Sequence, residues 1–213
     1  MSLAKELWEE SADLSRAVLE HRFVRGLKDG SLPLDNFQEY IGQDAFFLEA
    51  FARAYALALA HSPDQEGLRE FAGLLSGVLE ELELHNHYSA EWGVRLEDVS
   101  PGEATLAYTD FLLATAALGS VGETCAAMTP CMRLYAFLGQ ELATEGIDED
   151  NPYAEWIETY ADPEFEALVA KLEGLLDRYA SDAPAVRAAY RRAMALELVF
   201  FEANAEMSRG VGL

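Results

Sequence analysis

The amino-acid sequence predicts an all-α fold, a bundle of about seven or eight helices. Through most of the 213-residue chain, apolar residues recur at spacings of three and four, which places them on one face of an α-helix. No stretch alternates apolar and polar residues for long enough to predict a β-strand. Hydrophobic residues make up 51% of the sequence, enough for a sizeable core. We therefore expect residues 1–213 to form a single helical domain, with two small domains as the alternative.

Periodicity and helix-ending residues position the helices in the first half of the chain. The first amphipathic stripe covers residues 3–30. Pro33 then opens a long helix over 33–61, in which aromatic and aliphatic residues follow the helical spacing. A third helix is predicted over 63–91, and Gly93 follows its end.

Proline and glycine also mark the helices of the second half. Ser100 and Pro101 predict an N-cap and a first-turn proline for a helix that reaches Leu118. Four further helices, each opened by Gly or Pro, are predicted over 122–145, 152–160, 163–179 and 184–209. Pro130 lies inside the first of these four and should start or kink it. The loop-like segment 146–152 is a connection rather than a domain boundary, because the apolar helices on both sides need a partner face.

The charge of the chain excludes several classes of partner. There are 38 acidic and 15 basic side chains, which gives a formal net charge of −23. Such a field repels nucleic-acid phosphates and anionic lipid surfaces, so we expect neither nucleic-acid nor membrane binding. Of the 15 basic side chains, only three are lysines. A salt-accumulating host and a merely acidic cytosolic protein both fit this composition.

The sequence also predicts a cytoplasmic location. Its N-terminus has no apolar signal core. No run of about 18 uncharged apolar residues predicts a membrane span. Two cysteines six positions apart, Cys125 and Cys131, do not form a disulfide framework.

The histidines give little support for a metal or haem. Di-iron bundles need a Glu three residues before a His on two helices, but Leu82 and Leu84 precede His85 and His87 at that spacing. Those two histidines cannot chelate together from one helix, because they lie about 200° apart around it. His21 resembles a surface or interface residue more than an axial haem ligand. We expect no metal and no cofactor.

The segment MTPCMRLYAFLG, residues 128–139, is the first candidate for chemistry. If Pro130 starts a helix, then Cys131 lies in its first turn, where free backbone N–H groups favour a thiolate. Tyr135 is four residues on and shares a face with Cys131. The alternative is that Cys131 is a small buried hydrophobe, which is the preferred interpretation for Cys125.

A second candidate is an acidic residue in an aromatic stripe. Tyr40, Asp44, Phe47 and Phe51 follow helical spacing within YIGQDAFFLEAFARAYALALA, residues 40–60. Burial of an unpaired carboxylate is costly, so Asp44 needs a partner or a ligand. A structural partner such as an arginine or a helix N-terminus is the alternative.

Two more residues stand out by their neighbours. Glu202 directly follows Phe200 and Phe201 in LELVFFEANAE, residues 196–206; the alternative is that it is simply exposed. Glu197 is five positions earlier, about 140° away around a helix, so the two carboxylates should face different surroundings. Tyr108 lies among apolar residues and should need a partner for its hydroxyl.

Five segments taken in order resemble the TenA family, the thiaminase II group of thiamin-salvage enzymes. They are YIGQDAFFLEAFARA, AYTDFLL, MTPCMRLYAFLG, NPYAEWIETYADPEF and LELVFFEANAE, and together they extend over most of the chain. The resemblance implies a haem-oxygenase-like helical fold without haem, and a homotetramer. The family's older description as a transcriptional regulator gets no support from this sequence, which predicts no basic surface and has no recognisable DNA-reading motif.

The resemblance implies a role for each candidate. Cys131 matches the nucleophile of the cysteine-bearing branch, and Asp44 matches the carboxylate that binds the aminopyrimidine and helps to set up the cysteine. Glu202 matches the glutamate that handles the leaving-group proton and the attacking water. The residues expected to line the substrate site are Phe47, Tyr108, Tyr135 and Tyr160.

The implied activity is hydrolysis of an aminomethylpyrimidine from degraded thiamin to the hydroxymethylpyrimidine, with thiamin cleavage as a second activity. Thiolate addition to the electron-poor ring lets the group on the exocyclic methylene leave, and water then replaces the enzyme. Met132 and Arg133 depart from the family pattern and are expected to alter the pocket. The alternatives are a non-catalytic binder of a small aromatic ligand and an oxidase or oxygenase on the related helical fold.

Overall fold

The fold is seen in a computed structural model that describes residues 2–206, and within them the side chains of all but 84–88 and 206. This part of the chain contains α-helices and one 3-10 helix (Leu96–Asp98), and no strand. The α-helices are α1 (Leu3–Glu10), α2 (Ala12–Leu19), α3 (Arg22–Asp29), α4 (Leu34–His61), α5 (Gln65–Glu91), α6 (Glu103–Leu118), α7 (Val121–Ala143), α8 (Ala154–Ala161), α9 (Pro163–Tyr179) and α10 (Pro184–Glu206). The all-α prediction is confirmed, with more helices than the seven or eight expected.

The stripe predicted over residues 3–30 is three short helices rather than one. Ser11 separates α1 from α2 with a non-helical ψ of 12°. His21 adopts an extended conformation, and its ring accepts a hydrogen bond from the backbone N–H of Phe23 at 3.3 Å. Each short helix still turns an apolar face to the core, so the periodicity continues across the breaks and conceals them.

The predicted start of α6 is wrong by a few residues. The helix begins at Glu103, after an extended N-cap at Gly102, and not at Ser100. The side chain of Gln43 on α4 holds this connection: it donates to the carbonyl of Ser100 at 3.0 Å and accepts from the N–H of Gly102 at 2.8 Å. A tertiary contact therefore overrides the local Ser-Pro signal.

Pro130 does not start a helix. It lies inside α7, which begins at Val121 behind a capping box formed by Ser120 and Glu123. The other predicted boundaries agree with the structure to within two or three residues, and the predicted end of the last helix, at 209, lies outside the described residues.

Helix α7 runs through the middle of the fold and packs against α8, α9 and α10. Gly139 allows the closest of these approaches, because a Cβ there would lie 2.4 Å from the backbone carbon of Tyr160. The close approach brings the ring of Tyr160 to 4.9 Å from that of Tyr135, centroid to centroid. On the other side of the bundle, α4 packs against α5 and α6, and one continuous hydrophobic core joins the two halves.

Ion pairs on the outer surface connect helices that are far apart in the sequence. Arg187 and Arg191 on α10 pair with Glu10 and Asp13, and so tie the last helix to the first two. In the described range, no helix is both long and apolar enough to cross a bilayer.

Candidate active site

A cavity of about 230 Å³ opens between α4, α5, α7 and the α8–α9 pair. Its volume lies below the roughly 300–1,000 Å³ typical of sites for drug-sized ligands, so it suits a small, single-ring molecule. Of the seven residues predicted for the site, the structure brings together five on the cavity wall: Asp44, Phe47, Cys131, Tyr135 and Tyr160.

Helix α4 supplies one wall through a single face. Asp44, Phe47, Phe51 and Tyr55 follow one another at helical spacing and all line the cavity. The ring of Phe51 lies 5.5 Å from that of Phe47 and 4.9 Å from that of Tyr55. The wall is therefore aromatic with one carboxylate at its end, a surface that suits a flat ring with polar edges.

The opposite wall is also aromatic and is fixed by hydrogen bonds. Tyr40 donates its hydroxyl hydrogen to the hydroxyl oxygen of Tyr135 at 3.2 Å, and it accepts from the indole N–H of Trp156 at 3.3 Å. Tyr135 in turn packs against Tyr160. These contacts hold the rings in place before any ligand binds.

Cys131 reaches the cavity from the interior of α7, not from a first turn. Its thiol donates a hydrogen bond to the carboxylate of Glu197. Burial, and then the nearby charges of Glu197 and Asp44, raise the pKa of the thiol well above its usual value. The expectation that free helix N–H groups would favour the thiolate is wrong, because those groups are bonded in mid-helix. Any thiolate must instead form by proton transfer to a neighbour.

Glu197 is that neighbour, and sequence reasoning did not assign it a role. Its side chain is 2% exposed and accepts a 2.7 Å hydrogen bond from the hydroxyl of Tyr108. Burial raises the pKa of Glu197 to about 8, while the hydrogen bonds from Tyr108 and Cys131 oppose that rise. A carboxyl group that titrates near neutral pH and touches a thiol can act as a base and then as an acid.

Glu202 does not belong to this site. It is exposed and does not line the cavity. The charge of Glu202 acts instead on His21, whose pKa is lowered by burial and partly restored by that carboxylate. The sequence-based choice of Glu202 was misled by adjacency to Phe200 and Phe201, since residues next to each other along a helix point about 100° apart.

Tyr108 stands behind the cavity rather than in its lining. Its ring lies 4.8 Å from that of Phe47, and its hydroxyl is bonded to Glu197. The prediction that this buried hydroxyl needs a partner is confirmed. Tyr108 thus positions the glutamate instead of touching the cavity itself.

A further lining carboxylate, Glu81 on α5, was also missed from the sequence. It stands at the cavity mouth, where much of its surface reaches solvent. The protein packed around its carboxyl group, and then the charge of Asp44, raise the pKa of Glu81 to about 7. Leu74 and Val78 precede it on the same lining face, so the helical spacing of α5 was the signal available.

The cavity is acidic, and no Lys, Arg or His belongs to its described lining. Arg133, which follows the cysteine by two positions, turns away to bind Glu166 and Glu173 on α9. The expectation that Arg133 alters the pocket is therefore wrong, whereas Met132 does line the cavity. Such a lining favours cationic groups and hydrogen-bond donors over phosphates.

Among the residues that the structure describes, no group of three His, Cys, Asp or Glu side chains could hold a metal ion. The side chains of His85 and His87 lie outside the described residues.

Comparison with known proteins adds independent information. The TENA/THI-4/PQQC family matches residues 8–205. A protein of Halalkalibacterium halodurans named aminopyrimidine aminohydrolase is 36% identical over 185 residues, which cover 84% of this chain and 83% of that one. The mitochondrial bifunctional TH2 protein of Arabidopsis thaliana is also 36% identical, over 209 residues and 85% of this chain, but the match spans only 34% of its length.

Solved structures agree on the fold. A TenA homologue from Pyrococcus horikoshii superposes with a TM-score of 0.87 at 28% identity, with 96% of this chain and 98% of that chain covered. A domain with a heme oxygenase-like fold from Shewanella denitrificans superposes with a TM-score of 0.76 at 14% identity, covering 94% and 90% of the two chains. The second likeness concerns the fold alone, and it confirms the haem-oxygenase-like architecture.

Proposed function

The chain belongs to the TENA/THI-4/PQQC family, and on that premise we propose that it is a thiamin-salvage hydrolase. It converts an aminomethylpyrimidine to the hydroxymethylpyrimidine and releases ammonia, with thiamin cleavage as a second activity. Support comes from the relatives named aminopyrimidine aminohydrolase, which are 30–36% identical to this chain. The observation that carries the proposal is the meeting of the Cys131 thiol with the Glu197 carboxylate beside a small aromatic cavity that also contains Asp44.

In the proposed reaction, Glu197 takes the proton of the Cys131 thiol and the resulting thiolate adds to the electron-poor pyrimidine ring. The protonated Glu197 then gives that proton to the amino group on the exocyclic methylene, which leaves as ammonia. Water attacks the methylene and passes a proton to Glu197. Finally the thiolate leaves the ring and recovers its proton from Glu197. The sum is the amine plus water giving the alcohol plus ammonia.

The remaining residues of the cavity would bind and orient the substrate. The carboxylate of Asp44 accepts hydrogen bonds from the amino group of the ring, and Phe47, Tyr135 and Tyr160 pack against its faces. Glu197 takes the proton-transfer role that the family resemblance gave to Glu202, because Glu197 is the one bonded to the thiol. The raised pKa of Glu197 lets one residue accept a proton and later give one up near neutral pH.

The test is ammonia release from 4-amino-5-aminomethyl-2-methylpyrimidine. We expect turnover by the unaltered protein and none by Cys131→Ala, with helical circular dichroism retained. Cys125→Ala is the matched control, since Cys125 is buried in the same helix and does not line the cavity; it should keep its activity. An active Cys131→Ala variant would rule out covalent catalysis by that residue.

The same assay separates the alternatives. Calorimetric binding of the pyrimidine without ammonia release would favour a non-catalytic binder. Bound colour in the purified protein would favour an oxidase or oxygenase. Neither alternative is favoured by a specific contact in the described residues.

We also propose a homotetramer in the cytoplasm, built from one domain of residues 1–213. The family resemblance supports the tetramer, and large apolar side chains on the surface offer contact area: Leu79 is 50%, Leu106 is 45% and Leu118 is 88% exposed. A free thiol as nucleophile supports a reducing compartment. Light scattering after gel filtration tests the assembly, and a monomer mass would contradict it.

A further inference from the structure

The cavity is lined by a glycine that the packing of the protein does not require. Gly77 lies in the interior of α5 and belongs to the cavity wall. A Cβ atom added to it would meet no described atom within 4 Å outside its own stretch of helix. At Gly139, by contrast, the same addition would lie 2.4 Å from the backbone of Tyr160. An alanine at position 77 would therefore fit without moving any neighbour.

The backbone does not require a glycine at this position either. Positive φ values occur among the described glycines at Gly30, Gly93 and Gly146, so Gly77 has a conformation that any residue can adopt. Glycine in the middle of a helix also lowers stability relative to alanine. Gly73 on the same helix shares all these properties but does not line the cavity. Of the two glycines, only Gly77 leaves space that a ligand in the cavity can use.

The other lining residues of α5 show where this space lies. Leu74, Val78 and Glu81 line the cavity together with Gly77. Around the helix, Gly77 lies about 60° from Leu74 and about 40° from Glu81. Leu74 and Val78 are buried, whereas Gly77 and Glu81 are exposed. A side chain at position 77 would therefore stand at the edge of the cavity that faces solvent, and its absence widens the mouth.

The mouth has the dimensions and the charge to admit part of a ligand. Thr159 on α8 and Leu168 on α9 are also exposed lining residues. The cavity of about 230 Å³ accommodates a single ring, so any further group of a larger ligand has to extend through this opening. Glu81 is four residues after Gly77 and is its neighbour on the helix surface. The carboxylate of Glu81 favours cations and hydrogen-bond donors there.

We propose that Gly77 is a specificity-determining residue whose missing side chain lets a leaving group larger than ammonia extend from the cavity into the mouth beside Glu81. The proposal rests on the function proposed above and adds the class of leaving group to it. That class comprises substituted ammonium groups and cationic heterocycles such as the thiazolium of thiamin. Both are too large to share the cavity with the pyrimidine, and both carry the charge that Glu81 attracts.

The test compares leaving groups of different size in Gly77→Leu and in the matched control Gly73→Leu. The substrates are 4-amino-5-aminomethyl-2-methylpyrimidine, its N-benzyl derivative and thiamin. Each consumes one water and gives the same hydroxymethylpyrimidine, which chromatography measures; the other product is ammonia, benzylamine, or the neutral thiazole and a proton.

The expected result is a change in substrate preference. In Gly77→Leu, the kcat/KM of each larger substrate, divided by that of the aminomethylpyrimidine, should fall about ten-fold or more relative to the unaltered protein. Discrimination of that size is usual when a pocket gains or loses a methylene group or two. In Gly73→Leu this ratio should stay at the value of the unaltered protein. An unchanged ratio in Gly77→Leu, or an unaltered protein that accepts only the unsubstituted amine, would overturn the proposal.

Alanine variants test whether the fold needs the glycine. Gly77→Ala and Gly73→Ala should each raise the melting temperature by about 1–4 °C, because alanine is the better helix former. A rise for Gly73→Ala alone would show that the structure requires Gly77, and the proposal would be wrong.

The outcomes also separate this proposal from the proposed function. If the unaltered protein converts the aminomethylpyrimidine but Gly77→Leu keeps its substrate ratio, only the role of Gly77 falls. If the unaltered protein forms the hydroxymethylpyrimidine from none of the three substrates, the proposed function falls and the role of Gly77 falls with it.

Discussion

The two faces of α10 carry glutamates five positions apart in opposite surroundings. On the inner face, Glu197 is buried, bonded to Tyr108 and Cys131, and has a pKa raised to about 8. On the outer face, Glu202 is exposed and lies near His21. Five residues correspond to about 140° around a helix, so one helix can serve chemistry on one side and solvation on the other.

The comparison shows what decides the environment of a helical carboxylate. The residues three, four and seven positions after Glu197 are Phe200, Phe201 and Asn204, and all are buried. They share its face, whereas Glu202 is merely next to the two aromatics in the sequence. The position of a residue around the helix, and not the identity of its neighbours in the sequence, determines which of the two glutamates is buried.

The largest expected effect tests the two faces directly. Glu197→Gln should lower kcat by about 10²–10⁴-fold, the usual range for loss of a general acid–base group, because the thiol loses its proton acceptor. Glu202→Gln should leave kcat unchanged. Steady-state ammonia release measures both. An equal loss of kcat in the two variants would mean that burial beside Cys131 gives Glu197 no distinct role. A loss of kcat in Glu202→Gln alone would support the sequence-based choice of Glu202.

The next effect is on stability, and its sign follows from the raised pKa. Folded Glu197 binds its proton more tightly than the unfolded chain does, so it lowers stability progressively as the pH rises from about 4.5 to about 8. Glu197→Gln removes that penalty. The unfolding free energy of the variant should therefore exceed that of the unaltered protein by less than about 1 kcal/mol near pH 5 and by about 4–5 kcal/mol at pH 9.

Urea unfolding at the two pH values measures this difference. Glu202→Gln is the control and should show no comparable change, because an exposed carboxylate is solvated in the folded and the unfolded chain alike. A Glu197→Gln variant that is less stable at pH 9 would show that the carboxylate is structural. The expected gain in unfolding free energy would instead show that the buried carboxylate of Glu197 lowers stability, a cost that is common for groups that serve activity.

The smallest effect concerns Glu81 on α5, at the cavity mouth. This residue is exposed, as Glu202 is, but its pKa is raised, as that of Glu197 is. Its pKa of about 7 makes it an anion above neutral pH. Glu81→Gln should raise KM for the aminomethylpyrimidine about two- to five-fold at pH 8 and hardly at all at pH 6, because only the ionised carboxylate attracts the protonated amine and accepts hydrogen bonds from the neutral one. The exposed Glu80→Gln, on the same helix, is the control. A KM change of equal size at both pH values would show that charge is not the cause.

Much of the fold followed from periodicity and from proline positions. Pro163 begins α9 and Pro184 begins α10 as predicted, because proline at a helix start loses no bond. The breaks at Ser11 and His21 carry no such marker. The start of α6 depends on Gln43, a residue far away in the sequence, so local rules could not find it.

The site was predicted in composition more than in chemistry. Asp44 and Cys131 were selected correctly as cavity-lining groups, since a carboxylate in an aromatic stripe and a cysteine facing a tyrosine are visible in the helical spacing. The protonation of the thiol was predicted wrongly, because it depends on Glu197 from another helix. The buried hydroxyl of Tyr55 has no hydrogen-bond partner among the described residues, and this too is a property of three-dimensional packing that the sequence does not reveal.

The close approach at Gly139 makes the shape of the cavity depend on a residue that does not line it. Any side chain at this position would meet the backbone of Tyr160 and force α8 outward, carrying with it the ring that stands against Tyr135. Evolution and protein engineering therefore have a route to a wider pocket, and to a different substrate range, that leaves every contact residue unchanged.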